Sequence, residues 1–170
     1  MKTSALSAFA TLVVLALAPI PARADAVRPA PNFTWAAGKT LQSWKGQPVV
    51  LLIAPSPRSG TFRTQAKRIA AVYQEFAARN AVFVAAFADP EAAGQPIPSN
   101  IPFAIASNGP QVATDYGFNG TFSVNVIGKD GNLDLSSAKV VPASRIMDML
   151  INNSEQQTSE RKQAAVQPKR

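Results

Sequence analysis

The residues best placed for chemistry are Arg58-Ser59-Gly60-Thr61 and, two positions on, Arg63, which stand between an apolar run and a helical pattern. A helix opening here leaves its first backbone N–H groups without intrahelical partners. Those groups, the positive end of the helix dipole and two guanidinium groups together attract an anion or an acidic partner. Ser59 and Thr61 offer hydroxyls, but a hydroxyl nucleophile needs a base to take its proton. The chain has no His, and no spacing nominates a Lys or Asp for that role. The plainer reading is that Ser59 or Thr61 caps the helix and the arginines are solvated.

The chain also has no Cys. Disulfides, thiol catalysis, Cys/His zinc or copper sites and His-dependent triads are excluded together. Met147 and Met149 flank Asp148 in a helical stretch, where filling the core is the expected role rather than holding a metal. No catalytic residue, cofactor or metal ligand is therefore nominated. Trp35 and Trp44 are assigned to packing and Asp130 to a tight turn.

The elements that position the Arg58–Arg63 loop follow from periodicity. Pro48 to Ala54 is a continuous apolar run, suited to a central strand covered on both sides, and Pro55 and Pro57 end it. From Thr61 to Arg79 the positions Phe62, Ala66, Ile69, Tyr73 and Phe76 recur at steps of four and three, the stripe of one amphipathic helix, with Asn80 as its stop. Ala81 to Phe87 is a second buried strand, which makes a βαβ unit with a parallel pair. Upstream, Pro31 to Trp35 reads as a short strand and Gly38-Lys39 as a turn. Downstream, Asp89 to Asn100 is a Pro-rich loop and Ile101 to Ala106 a short extended piece. Pro110 to Tyr116 is a short helix with Gly117 past its end. Ser123–Ile127 and Leu133–Leu135 form a hairpin around Asp130-Gly131, and Pro142 to Asn152 is a closing helix.

This order agrees with local strings. Pro31-Asn32-Phe33-Thr34, Gly38-Lys39, Leu41 and Trp44-Lys45-Gly46-Gln47-Pro48-Val49-Val50-Leu51 are followed by Tyr116-Gly117-Phe118-Asn119-Gly120 and Val126-Ile127-Gly128-Lys129-Asp130-Gly131. Together they resemble the thioredoxin-like superfamily, in the branch that holds peroxiredoxins and the periplasmic thiol oxidoreductases of cytochrome maturation. The resemblance implies an α/β three-layer fold, a mixed sheet of about four to five strands flanked by helices. It also implies where this chain departs. Arg58-Ser59-Gly60-Thr61 stands where that family has its Cys-x-x-Cys, and the peroxidatic cysteine a little further on is equally missing. Disulfide exchange needs a thiolate, so neither activity is open to this chain alone. The family's cis-proline segment corresponds to Thr121-Phe122-Ser123, where a cis bond would cost about 2.5 to 4 kcal/mol, so Phe122 is expected in a trans peptide and the partner-docking ledge altered. In such a fold Asp89-Pro90-Glu91 lies on the same side as the lost redox centre.

The ends of the chain bound its setting. Lys2, an apolar run from Ala5 to Leu17 and Ala22-Arg23-Ala24 read as a signal peptide over residues 1–24, which leads to a periplasmic or secreted protein with Asp25 as its first residue. The apolar run is shorter than the roughly 18 to 20 residues of a membrane-spanning helix, so no permanent membrane anchor is expected. Residues 25–153 then form one thioredoxin-like domain. Residues 154–170 read as a disordered basic tail, with Val166 as the only branched apolar residue from Glu155 onward. The formal net charge is +7. Nucleic acid is not expected as a partner, because the cations do not cluster with stacking aromatics. The expectation is a non-catalytic binding or scaffolding module whose partner is another envelope protein. The alternative is a redox accessory, or an enzyme of unidentified substrate, acting at the Arg58 to Arg63 loop. A third reading is binding of anions or of the envelope through the basic surface.

Overall fold

Six consecutive apolar residues, Val49–Ala54, have no polar face to turn toward water, and they form β1, buried at every position. In the computed structural model, which describes residues 28–92 and 94–152, β1 is the middle strand of a five-stranded sheet. It pairs in parallel with β2 (Val82–Phe87), from Val49 opposite Val82 to Ala54 opposite Phe87. Beyond β2 lies the two-residue β3 (Ala104–Ile105), also parallel. On its other side β1 pairs antiparallel with β4 (Ser123–Ile127), which in turn pairs antiparallel with β5 (Leu133–Ser137). The order β3-β2-β1-β4-β5 joins a parallel half to a hairpin half. This is the thioredoxin-like architecture that the residue patterns imply.

The β4–β5 turn forms around Asp130-Gly131. Gly131 sits at φ 86, a conformation that favours glycine. Both carboxylate oxygens of Asp130 accept from Asn132, at 3.0 Å from the backbone and 2.6 Å from the side-chain amide. The turn role assigned to Asp130 is thus borne out.

Two hydrophobic cores flank the sheet. One packs α1 (Gly60–Ala70), α2 (Tyr73–Ala77) and a closing helix over residues 143–152, here α4, against Val50, Leu52, Val124 and Val126. Met147 and Met149 both pack there, Met147 buried, in the filling role expected of them. The other core packs α3 (Gly109–Asp115) and the leader residues Phe33, Leu41 and Trp44 against Leu51, Ile53, Val84 and Ile127. Trp44 is buried in it and Trp35 stacks on Trp44 with ring centroids 4.3 Å apart, so both tryptophans serve packing. At the start of α3 the backbone meets the end of β2. A Cβ on Gly109 would overlap the carbonyl oxygen of Phe87, so only glycine fits this contact.

Two expectations are corrected. The helix expected over Thr61 to Arg79 is broken: α1 ends at Ala70, Val72 leaves helical geometry at φ −128 and ψ 27, and α2 restarts at Tyr73. Around the break the backbone tightens, with Val72 N–H donating to Ile69 and Glu75 N–H to Val72. The restart aims Tyr73 and Phe76 at Phe83, at centroid distances of 6.0 and 5.4 Å. Pro31 to Trp35 is likewise no strand of the sheet. The leader makes single bridges, Pro29 to Asn132 and Thr34 to Thr40, and short 3-10 turns follow at Ala36–Gly38 and Leu41–Trp44. Pro29 and Pro31 remove donors that a ladder would need where the leader begins. The loop expected over Asp89 to Asn100 also holds one 3-10 turn, Pro90–Ala92. The signal peptide over residues 1–24 and the tail over 154–170 lie outside the described residues.

Candidate functional site

Pro55 and Pro57 stop β1, and the chain crosses to α1 in the loop Pro55–Ser59. Two bonds close that loop on itself. Ser59 N–H donates to the Ser56 carbonyl at 3.1 Å, and Ser56 N–H donates to the Ser59 hydroxyl oxygen at 3.2 Å. Ser59 therefore occupies the N-cap position of α1, yet its hydroxyl does not cap the helix. Capping by Ser59 is corrected on that geometry. Gly60 and Thr61, the first residues of α1, are both exposed, and the first intrahelical bond runs from Arg63 N–H to the Ser59 carbonyl at 3.0 Å.

The fold brings Arg58, Ser59, Gly60, Thr61 and Arg63 together at the carboxyl end of β1, with both arginines exposed. Asp89 shares this end, because its N–H donates to the Pro55 carbonyl at 3.2 Å, and its own carboxylate accepts from Glu91 N–H at 2.9 Å. Thr121-Phe122-Ser123 arrives from the other side, Ser123 pairing with Ile53. Its peptides are trans, as no cis bond occurs among the described residues. Phe122 is buried in the α1-side core while Thr121 stays exposed.

No hydroxyl here is activated. Ser59 accepts from backbone, Thr64 donates to the Gly60 carbonyl at 2.8 Å, and neither touches a carboxylate or an amine. The first turn of α1 is sealed inward by Phe62, fully buried, with ring centroids 5.4 Å from Phe87 and 5.7 Å from Phe103. An attacking group at that position would be walled off from solvent. The site residues thus form a cationic, small-residue loop over an aromatic floor, with both arginines exposed. The periodicity of Phe62 gave its burial. The Ser56–Ser59 closure had no signal beyond two serines three apart.

Two surface hollows lie elsewhere. One of about 320 Å³ sits at the α1–α2 break, bordered by Tyr73, Glu75 and Asn100. The other, about 350 Å³, lies at the amino end of β1 beside Lys45, Lys129 and Asp130. Neither borders residues 58–63. Among the described residues no cluster of three or more His, Cys, Asp or Glu is arranged to hold a metal ion, and no helix is long and apolar enough to cross a membrane.

The sequence model of the AhpC/TSA family matches residues 27–136, more than half of the chain and every strand but the last residue of β5. The chain belongs to the AhpC/TSA family. It is a member without cysteine. Among solved structures, this AhpC/TSA-family chain is similar to a thiol:disulfide interchange protein, DsbE, of Chlorobium tepidum, with a TM-score of 0.58 and 19% identity over 75% of this chain and 96% of that one. It is similar to the mitochondrial 2-Cys peroxiredoxin of Plasmodium falciparum, with a TM-score of 0.57 and 16% identity over 79% and 96%. It is also similar to a Sco-family cytochrome c oxidase assembly protein, with a TM-score of 0.53 and 16% identity over 76% and 95%. At these identities the likeness is one of fold. No curated protein sequence matches the chain significantly.

Proposed function

We propose that this AhpC/TSA-family chain is an exported binding or scaffolding module, a redoxin platform that works by contact and not by thiol exchange. One observation supports this above the others. Arg58-Ser59-Gly60-Thr61, at the start of α1, presents exposed cations and unbonded helix amides where the resemblance implies thiols, and no hydroxyl there has a base. In an open α/β sheet the carboxyl ends of the strands are where ligands bind, so a lost redox centre leaves a usable surface. The partner expected there is an envelope protein with an acidic contact, and export follows from the signal peptide read over residues 1–24.

The test has two arms. The purified protein is expected neither to reduce insulin disulfides nor to consume peroxide with a dithiol reductant, and activity above a heat-killed control in either assay would overturn the reading. Co-purification from a periplasmic extract is expected to recover a partner that is lost on Arg58→Glu with Arg63→Glu, with the fold intact.

A further inference from the structure

Past the first turn of α1, the helical side of the molecule gathers cations with little of opposite sign among them. α1 has no acidic residue and presents Arg63, Lys67 and Arg68. Gln65, fully buried, donates through Nε2 to the Val141 carbonyl at 3.0 Å and accepts through Oε1 from Val141 N–H at 2.7 Å. That clamp holds the chain around Val141 against α1, and this stretch adds Lys139 just before it and Arg145 in the first turn of α4. All five side chains are exposed, and none has an ion-pair partner among the described residues. The nearest acids in sequence are Glu75 on α2, Asp134 on β5, which is already engaged, and Asp148 on α4.

We propose that this surface rests the protein against a layer of anionic phospholipid headgroups. The exposed residues among and beside the cations include Thr61, Thr64, Ala71, Pro142 and Ser144, all small. The apolar side chains of α1, Phe62, Ala66 and Ile69, are committed to the core. A protein partner draws affinity from buried aromatic or aliphatic anchors and a single-stranded nucleic acid from stacking platforms, and the patch offers neither. It also lacks the exposed apolar stripe of a helix that inserts into lipid. A row of long cationic side chains needs only a diffuse negative field, which an anionic bilayer surface supplies without a complementary pocket. The contact shares Arg63 with the one proposed for the Arg58 loop, but Lys67, Lys139 and Arg145, the positions its test alters, lie outside that loop, so either proposal stands if the other falls.

The test is co-sedimentation of the exported form, beginning at Asp25, with vesicles of phosphatidylglycerol mixed with phosphatidylcholine, set against phosphatidylcholine alone. Each cation removed from the surface is expected to lower partitioning about fivefold, so the triple variant K67Q/K139Q/R145Q should lose roughly a hundredfold and the corresponding glutamate triple more. A matched triple, R28Q/K45Q/K129Q, makes the same change in charge around the β4–β5 turn and should bind nearly as the unaltered chain does. Raising salt from about 0.1 M to 1 M shortens the screening length from roughly 10 Å to 3 Å and should abolish binding. Equal loss in the two triples, equal binding to vesicles of phosphatidylcholine alone, or binding to polyglutamate without binding to anionic vesicles would each overturn the proposal. Circular dichroism of both triples shows that a loss is not unfolding.

Discussion

Each face of the sheet buries one side-chain amide, and the two are treated differently. On the α1 side Gln65 makes both of its bonds to one residue, Val141, across 76 positions of sequence. On the α3 side Asn125 alternates with the inward Val124 and Val126 of β4. It donates to the Ser123 hydroxyl, at 2.9 Å and two residues away, and among the described residues its Oδ1 finds no partner. Gln65 ties two distant segments, whereas Asn125 satisfies itself locally and by half. A buried polar group strengthens a fold when its bonds are complete and weakens it when one is missing. The two faces are therefore held by different means: a polar tie within a continuous aromatic layer on one side, and apolar packing that tolerates a polar flaw on the other.

Removing the tie is the strongest way to test this. Gln65→Ala takes away both bonds and leaves Val141 with a buried N–H and carbonyl unpaired, at an expected cost of about 2 to 4 kcal/mol in chemical denaturation. A cost below about 1 kcal/mol would show that water replaces the amide and that the faces do not differ.

On the α3 side, the Tyr116 hydroxyl donates to the Pro31 carbonyl at 2.7 Å and fastens the leader to the helix. Burial pushes its phenol well above the ordinary tyrosine value, and the charge of Asp115 adds to the shift. The folded state thus holds this proton more tightly than the unfolded chain does. The stability it contributes is complete below about pH 10, where an unfolded tyrosine titrates, and is lost as pH rises from there toward the folded value. Tyr116→Phe should cost about 1 kcal/mol at neutral pH and remove that part of the alkaline loss. Denaturant midpoints of both proteins measured from pH 8 to 11, as buffer settings, check the sign. Parallel curves would break the assignment.

The smallest effect is expected to have the opposite sign. Asn125→Val removes the orphaned oxygen from β4 and places a β-branched residue in a buried strand, so stability should be unchanged or higher by up to about 1 kcal/mol. A loss of 2 kcal/mol or more in thermal melts would mean that Oδ1 has a partner after all.

The same contrast between local and distant causes decides what could be read from residues alone. β1, β2 and the Asp130-Gly131 turn were legible because their signals are local: continuous apolar runs, and a turn that only certain residues favour. α3 was legible for the same reason, with Pro110 in its first turn and Gly117 beyond its end at φ 65. The break at Val72 was hidden because both halves still face the sheet, and Ile69, Tyr73 and Phe76 keep their spacing whether or not the backbone is continuous. The loop at Arg58 to Arg63 was legible in place and exposure. The fate of the Ser59 hydroxyl was not, since a serine at a helix start carries the same letter whether it caps or closes the loop behind it. Gln65 gave no sign, because its burial depends on a residue of another element that no periodicity links to it.

Gly109 brings a consequence for inheritance. Its hydrogen occupies the gap between α3 and the Phe87 carbonyl, so this position has an alphabet of one letter. A lineage that altered position 109 would first have to move a helix away from a strand, and no single codon change does that.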